Sequence, residues 1–339
     1  MIREAIQKAI VHNDLSYEEA FAAMEAIMLG EATPAQIAAF LVAMRMKGEK
    51  PHEIAGCAAS MRKNALAVDL GEYEDAVDLV GTGGDGKHTF NISTVASLVV
   101  AGAGAPVAKH GNRSVSSKSG SADVLMALGI ELNLDSLQLS LCLQQIGIAF
   151  LFAPMLHVAM KHAIGPRREI GVRSIFNILG PIANPAGVKR QLIGVYDKSL
   201  LRLLAEVLQQ LGSKHVLLVH SAEGLDEISL AGTTHVTELI DGEIRDYDLT
   251  PESFGLKPSS ASITGGDAEH NAAIALDVLR GKPGPARDIV IANAAAGIYA
   301  AGRAEDLREG ASIAANSIDS GAAITKLEAL REFTNNIMQ

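Results

Sequence analysis

The stretch DLVGTGGDGKHTFNIST, residues 78–94, joins a short apolar strand to a loop that is rich in glycine. Glycine adopts backbone angles that a Cβ forbids, so the N–H groups of such a loop can approach a ligand closely. The loop glycines are Gly81, Gly83, Gly84 and Gly86. An apolar helix is predicted next, with Asn91 or Ser93 as its N-cap, and a helix N-terminus attracts anions. The stretch therefore predicts a phosphate-binding loop.

Two known glycine signatures overlap in this loop, and neither is complete. A dinucleotide-binding fingerprint requires an acidic residue about 20 positions further on, where this chain has Lys109. A P-loop requires Ser or Thr directly after its lysine, where this chain has His88. A nicotinamide-dependent dehydrogenase and a P-loop nucleotidase are therefore disfavoured.

A second polar stretch follows the next predicted strand, Pro106 to Ala108. It reads KHGNRSVSSKSGS over residues 109–121 and combines lysine, arginine and serine side chains ahead of a predicted helix. Loops at the carboxyl ends of successive parallel strands meet in one crevice. Two phosphate-type loops at that edge predict a ligand that carries phosphate at both ends.

These two stretches resemble the anthranilate phosphoribosyltransferase family of tryptophan biosynthesis. The resemblance continues through residues 31–49, 152–185, 192–196 and 220–229 and the helical tail near 293–325, so it spans nearly the whole chain. Met126, Val158 and Ser174 depart from the family pattern, since Glu, Pro and Thr are expected there. None of these positions is expected to be catalytic.

Composition limits the remaining possibilities. The chain has 339 residues, 48% hydrophobic content and a net charge of −10, which argues against a nucleic-acid-binding surface. Cys57 and Cys142 form no CxxC motif, so no zinc site or disulfide framework is predicted. The charged N-terminus and the glycine-broken apolar runs predict neither a signal peptide nor a membrane span. We expect a cytoplasmic enzyme.

The fold class predicted is α/β, with a small all-α domain and a large α/β domain whose mostly parallel central sheet is flanked by helices. Capped helices occupy residues 1 to about 68, and strand and helix alternate from Tyr73 onward. Strands are predicted near 77–80, 106–109, 148–152, 191–196 and 215–220, followed by a hairpin through Asp241-Gly242. The resemblance implies a small, dimerising helical domain of 1–70 with roughly 165–190, and a large domain of 71–164 and 191–339.

Asp226 and Glu227 follow a predicted strand at the same sheet edge as the two phosphate loops. Magnesium is commonly held by one or two carboxylates together with substrate phosphates, so this pair predicts a Mg²⁺ site. The resemblance adds Ser93 as a ligand and implies two ions per subunit.

His157, His162 and Arg167 form a basic cluster after the third predicted strand. A spacing of five does not bring two histidines to one helical face, so a zinc site is rejected. A guanidinium fork matches a planar carboxylate, and the resemblance assigns Arg167 to the carboxylate of anthranilate. It also implies anthranilate contacts at Gly81 and Asn112, and it places His157 at the aromatic-acid pocket.

The resemblance implies transfer of the phosphoribosyl group of 5-phosphoribosyl 1-pyrophosphate to the amino nitrogen of anthranilate. No residue is assigned as nucleophile, acid or base, because the aniline-type nitrogen is unprotonated at neutral pH. A pyrimidine nucleoside phosphorylase of related fold remains the alternative. The second loop of that enzyme resembles Lys-His-Ser, whereas this chain has Lys109-His110-Gly111-Asn112, which is the transferase pattern. The residues expected to bind phosphoribosyl pyrophosphate are Gly81, Gly84, Asp85, Thr89, Asn91, Ile92, Ser93, Thr94, Lys109, His110, Gly111, Asn112, Arg113, Ser114, Val115, Ser116, Ser117 and Ser121.

Overall fold

The computed structural model describes residues 1–113 and 118–337. It begins with four helices: α1 (Ile2–Ile10), α2 (Tyr17–Met28), α3 (Pro34–Lys47) and α4 (Pro51–Lys63). The capping boxes predicted at the starts of α2 and α3 are present. Ser16 Oγ accepts a hydrogen bond from the Glu19 N–H at 3.2 Å, and Thr33 Oγ1 accepts one from the Gln36 N–H at 3.3 Å.

A seven-stranded sheet forms the centre of the rest of the chain, with the strand order β3-β2-β1-β4-β5-β6-β7. The first five strands run parallel, and β6 and β7 are antiparallel. The predicted fold class is confirmed. The strands are β1 (Val77–Gly81), β2 (Val107–Gly111), β3 (Ile148–Phe152), β4 (Arg190–Gly194), β5 (His215–Ser221), β6 (Thr234–Ile240) and β7 (Glu243–Leu249).

The hairpin between β6 and β7 turns at the predicted dipeptide. Asp241 and Gly242 both have positive φ, 48° and 85°, as a type I′ turn requires. This turn adds the antiparallel section to the parallel sheet, as the sequence predicts.

Helices cover both faces of the sheet. The remaining ones are α5 (Ile92–Gly102), α6 (Ser121–Ala127), α7 (Ser136–Ile146), α8 (Ala153–Leu156), α9 (Lys161–Ile170), α10 (Phe176–Ile182), α11 (Leu200–Gln210), α12 (Ala268–Leu279), α13 (Pro285–Ala300), α14 (Leu307–Asp319) and α15 (Ala322–Asn336). Among the described residues, no helix is long and apolar enough to cross a membrane.

Two hydrophobic cores meet across the sheet. One joins α5, α6, α7 and the C-terminal helices to one set of sheet side chains. The other joins α1–α4 to α10, α11 and the opposite set, and it includes Phe40, Phe176 and Leu204. The segment that contains α10 therefore packs with the N-terminal helices although about 110 residues of chain separate it from α4.

One boundary differs from the sequence-based prediction in a way that affects the site. Strand β2 extends to Gly111, so Lys109 and His110 are strand residues that pair with β3, not loop residues. The backbone of Lys109 and His110 pairs with β3, Ile148–Phe152, and this pairing is not evident from the polar character of their side chains. Both side chains are buried as a result, Lys109 with 3% exposure.

Candidate active site

A cleft of about 770 Å³ opens at the carboxyl ends of β1, β2, β4 and β5. The connection after β1 leads to β2 on one side, and the connection after β4 leads to β5 on the other. In open α/β sheets such a switch point is where ligands bind. The glycine loop after β1 lines this cleft, and so do the described residues of the polar stretch after β2, Asn112, Arg113 and Ser119 to Ser121.

Glycine at the ends of β1 and β4 lets the acidic pair enter the cleft. Gly81 and Gly194 are directly paired across the two strands. A Cβ on Gly194 would lie 1.6 Å from the Asp226 carbonyl oxygen, and one on Gly81 would lie 2.8 Å from Asp226 Oδ2. Only glycine fits at position 194. The backbone at Asp226 can therefore pass directly over the ends of β1 and β4.

Backbone N–H groups of the glycine loop and of the first turn of α5 hold the two carboxylates in place. Asp226 Oδ2 accepts a hydrogen bond from the Gly83 N–H at 2.8 Å, and Glu227 Oε1 accepts one from the Ser93 N–H at 3.3 Å. Burial raises the pKa of Glu227 to about 8, with a further contribution from the charge of Asp226. Burial and the neighbouring Asp85 raise the pKa of Asp226 well above its usual range.

This donor set fits magnesium. Crowded, partly desolvated carboxylates are stabilised when a cation replaces their protons. Asp85 Oδ2 is buried and has no hydrogen-bond partner among the described residues. Within those residues, no three acidic, histidine or cysteine side chains enclose a metal by themselves. Mg²⁺ takes one or two protein carboxylates and completes its shell with water and phosphate oxygens, so the pair Asp226 and Glu227 suffices for it.

Lys109 brings a positive charge to the floor of the cleft. Its Nζ donates hydrogen bonds to the Leu79 carbonyl oxygen and, at 3.4 Å, to Ser93 Oγ. Burial lowers the pKa of Lys109, while the charges of Asp78 and Glu227 act in the opposite direction. The lysine therefore lies near two carboxyl groups, that of the buried Asp78 and that of the half-buried Glu227.

Asp78, which no motif in the sequence singles out, is fully buried in β1. Its Oδ1 accepts a hydrogen bond from the His110 N–H at 3.1 Å, and its Oδ2 accepts one from Asn184 Nδ2 at 2.9 Å. Burial raises the pKa of Asp78 to about 6. An acidic residue between Val77 and Leu79 in a predicted buried strand was the signal that could have found it.

Arg167, on α9, lines the far wall of the cleft. Its guanidinium carbon lies 4.8 Å from the centre of the Phe176 ring, and burial lowers its pKa. An arginine beside an aromatic ring can contact both the carboxylate and the ring of an aromatic acid.

His157 does not line the cleft. It lies behind His110, with ring centroids 5.1 Å apart, and burial lowers the pKa of His157 to about 4. His110 faces the cleft, and burial lowers its pKa to about 3, so both rings are neutral at physiological pH.

Most of the predicted site residues converge on this one cleft. Ile92 does not, because it is fully buried in α5. Ser114, Val115, Ser116 and Ser117 lie outside the described residues. The predicted residues that line the cleft are Gly81, Gly84, Asp85, Thr89, Asn91, Ser93, Thr94, Lys109, His110, Gly111, Asn112, Arg113, Ser121, Arg167, Asp226 and Glu227.

Other cleft residues were not singled out from the sequence. They include Arg173, Phe176, Asn177 and Tyr196. Arg173, Phe176 and Asn177 fall within residues 152–185, where the family resemblance continues, but no spacing rule marks them. Tyr196 follows β4, whose position next to β1 only the strand order reveals.

The fold and the cleft are those of a glycosyl transferase that consists of a helical bundle domain and an a/b domain. The model of the glycosyl transferase family a/b domain matches residues 73–324, and that of its helical bundle domain matches residues 3–65. Curated relatives named anthranilate phosphoribosyltransferase are similar over nearly their full length. The one from Moorella thermoacetica is 54% identical over 97% of each chain, and the one from Clostridium kluyveri is 51% identical over 99% of this chain and 100% of its own.

Solved structures agree with these relatives. The crystal structure of anthranilate phosphoribosyltransferase from Thermus thermophilus has a TM-score of 0.92 and 43% identity, and covers 98% of this chain and 99% of its own. The Saccharomyces cerevisiae enzyme in complex with PRPP and Mg has a TM-score of 0.90 and 28% identity, and covers 99% of this chain and 98% of its own. The chain belongs to the anthranilate phosphoribosyltransferase family.

Proposed function

We propose that this protein transfers the phosphoribosyl group of 5-phosphoribosyl 1-pyrophosphate to the amino group of anthranilate in tryptophan biosynthesis. The products are N-(5-phosphoribosyl)anthranilate and pyrophosphate, so the protein is a pentosyltransferase. One observation carries the proposal: a half-buried pair of carboxylates, Asp226 and Glu227, lies against a glycine loop at the switch point of the sheet, in a chain 54% identical to a relative of that name.

Anthranilate fluorescence tests this function directly. Purified protein should consume anthranilate only when both phosphoribosyl pyrophosphate and Mg²⁺ are present, and pyrophosphate should appear in equal amount. Phosphorolysis of a pyrimidine nucleoside, with no consumption of anthranilate, would refute the proposal.

We assign the phosphoribosyl pyrophosphate site to the two loops. In this proposal pyrophosphate, ribose and metal are held by Gly81, Gly84, Asp85, Thr89, Asn91, Ser93 and Thr94, and the buried Ile92 is not among them. Lys109 and the polar stretch to Ser121, including Ser114, Val115, Ser116 and Ser117, complete the site. Support comes from the glycine loop, whose Gly83 and Gly84 have φ of 66° and 79° and leave the backbone accessible to phosphate.

Magnesium is held by Asp226, Glu227 and Ser93, with two ions per subunit, in this proposal. When bound, Mg²⁺ supplies positive charge against the departing pyrophosphate. The two carboxylates bind it, and their contacts with the Gly83 and Ser93 N–H groups orient them. Lys109 adds a further positive charge on the cleft floor. Its contact with Ser93 Oγ supports a place for this charge beside the proposed metal ligands.

Anthranilate is proposed to bind between Gly81, Asn112 and Arg167. The half-buried guanidinium of Arg167 orients the carboxylate, which aims the amino nitrogen at C1 of the ribose. The C1–N bond forms as the C1–O bond to pyrophosphate breaks, and the amino group gives up one proton. Positioning and electrostatic complementarity supply the catalysis, so no side-chain nucleophile is needed. A direct contact of His157 remains a prediction of the resemblance alone.

We propose a cytoplasmic homodimer that associates through the small helical domain. That domain would comprise residues 1–70 with roughly 165–190, and the large one 71–164 with 191–339. Support for assigning roughly 165–190 to the small domain is the packing of α10 with α1–α4, in a core that also includes α11 and one face of the sheet. Support for the dimer is a group of exposed apolar side chains on α1 and α3, among them Ile10, Val42 and Met46.

A further inference from the structure

Three distant parts of the chain form hydrogen bonds with the glycine loop. The Thr82 N–H donates to the Gly194 carbonyl oxygen at 2.9 Å, and the Tyr196 N–H donates to Thr82 Oγ1 at 3.0 Å. The Gly83 N–H donates to Asp226. The third contact comes from the linker between α9 and α10, where Arg173 Nη2 donates to the Gly84 carbonyl oxygen at 2.7 Å.

Arg173 is itself fixed by an aromatic ring. Its guanidinium carbon lies 4.1 Å from the centre of the Tyr196 ring, a short cation–π distance. Tyr196 thus contacts the glycine loop twice, through its own N–H at Thr82 and through Arg173 at Gly84. A planar guanidinium can stack and donate at once, which an ammonium group cannot do.

The Gly84 carbonyl controls the peptide that follows it. A trans peptide is planar, so fixing the direction of the Gly84 C=O fixes the Asp85 N–H in the opposite direction. With φ of 79° at Gly84, the backbone has other accessible conformations, because glycine populates positive and negative φ about equally. Nothing else in the described hydrogen bonds holds this carbonyl.

We infer that Arg173 is a positioning residue, which fixes the Gly84–Asp85 peptide of the glycine loop for phosphoribosyl pyrophosphate and uses the Tyr196 ring as its platform. The inference rests on the proposed function of the same cleft. It also explains the place of Asp85, whose Oδ1 accepts a hydrogen bond from the Lys87 N–H at 3.0 Å and whose charge acts on Asp226. Arg173 holds the peptide from which this carboxylate projects.

Steady-state kinetics provide the first test. Arg173→Ala should raise the KM for phosphoribosyl pyrophosphate about fivefold, because one exposed hydrogen bond is lost, and should leave the KM for anthranilate within about twofold. Arg173→Lys should fall between wild type and Arg173→Ala, and Tyr196→Leu should reproduce the direction of the effect. Arg168→Ala removes an exposed arginine from the end of α9 and is the matched control, expected to behave as wild type.

A double variant separates positioning from direct contact with substrate. If Tyr196 acts only through Arg173, Arg173→Ala combined with Tyr196→Leu should be no worse than Arg173→Ala alone. Independent, additive effects would overturn the inference. Equal increases in the KM of both substrates would also overturn it, since they would mean a general structural role.

Hydrogen exchange of the substrate-free protein provides a test that needs no activity. Amides of residues 82–86 should exchange faster in Arg173→Ala and Tyr196→Leu and should be unchanged in Arg168→Ala. Unchanged exchange in Arg173→Ala would refute the inference. Failure of the wild-type protein to use anthranilate would instead refute the proposed function, so the two failures are distinguishable.

Discussion

Removal from solvent changes the pKa values of the individual site residues of this protein. The sequence predicts a Mg²⁺ site at Asp226 and Glu227, and the fold holds both half-buried carboxyl groups close to Asp85 and to backbone N–H groups, where their pKa values rise. Arg167 is likewise an ordinary basic residue until α9 carries it to the cleft wall beside Phe176. The type of each residue is visible in the sequence, whereas its neighbours are not.

Replacing Asp226 by Asn and Glu227 by Gln together should abolish turnover and Mg²⁺-dependent binding of phosphoribosyl pyrophosphate while the fold persists. Folding raises the pKa of both groups, so the metal-free folded chain binds more protons than the unfolded chain from about pH 4 to about pH 8. Their contribution to stability is therefore present at low pH and is lost as pH rises through this window.

Melting curves without metal should show this loss in wild type, and the double variant should show a flatter pH dependence. Added Mg²⁺ should restore stability to wild type at the upper end of the window, because the metal replaces the protons. Full activity of the double variant at low Mg²⁺ would contradict the assignment.

Arg167→Ala should raise the KM for anthranilate far more than that for phosphoribosyl pyrophosphate. Loss of a charge-assisted contact with a carboxylate costs about 1.5–3 kcal/mol, which corresponds to roughly ten- to hundredfold. Arg168→Ala again serves as the control. If both KM values changed equally, Arg167 would have a structural role only.

At the scale of elements, the ends of β1 and β4 form the centre of the site. The pairing of Gly81 with Gly194 leaves room for the chain to cross at Asp226, and the loop after β1 then bends through residues of positive φ. Strand β2 contributes Lys109 from its paired portion, so this cation is held by the sheet instead of by a loop.

Gly84→Ala should weaken binding of phosphoribosyl pyrophosphate with only a modest fall in melting temperature. A Cβ there would lie 3.3 Å from Arg173 Nη2, at a φ that costs an L-residue about 1 kcal/mol. Lys109→Ala should weaken binding without backbone strain. The stabilisation that substrate and Mg²⁺ give in calorimetric melts should largely disappear in both variants. Normal stabilisation in both would place the active site elsewhere.

For the molecule as a whole, the N-terminal helices contribute to one core and also present an apolar surface outward. Val42 and Met46 lie one turn apart on α3 and are 37% and 73% exposed. A second copy of the chain would cover this face in the proposed homodimer.

Val42→Asp combined with Met46→Asp should convert a dimer of twice 35.5 kDa into monomers, as measured by light scattering after size exclusion. Introducing two carboxylates into an apolar interface carries a large desolvation cost. Leu137→Asp, at an equally exposed position on α7, is the control that should leave the mass unchanged. A wild-type monomer would contradict the proposed assembly.

Local patterns in the sequence predict most of the helices and strands and many of the residues that line the cleft. The capping boxes, the Asp241-Gly242 turn and the alternation of strand and helix act over a few residues, so they are legible without the fold. The glycine loop and the polar loop were recognised in the same way. Because parallel strands end at one edge, their convergence could also be predicted.

Tertiary structure alone decided which distant residues meet. Asp78 contacts Asn184 across 106 residues of sequence, and Arg173 reaches Gly84 across 89. No periodicity encodes such pairs, because they depend on the strand order and on the path of the linker into α10. The sequence therefore determined the chemistry available to this protein, while packing determined which charges are buried together and so which of them can bind a ligand.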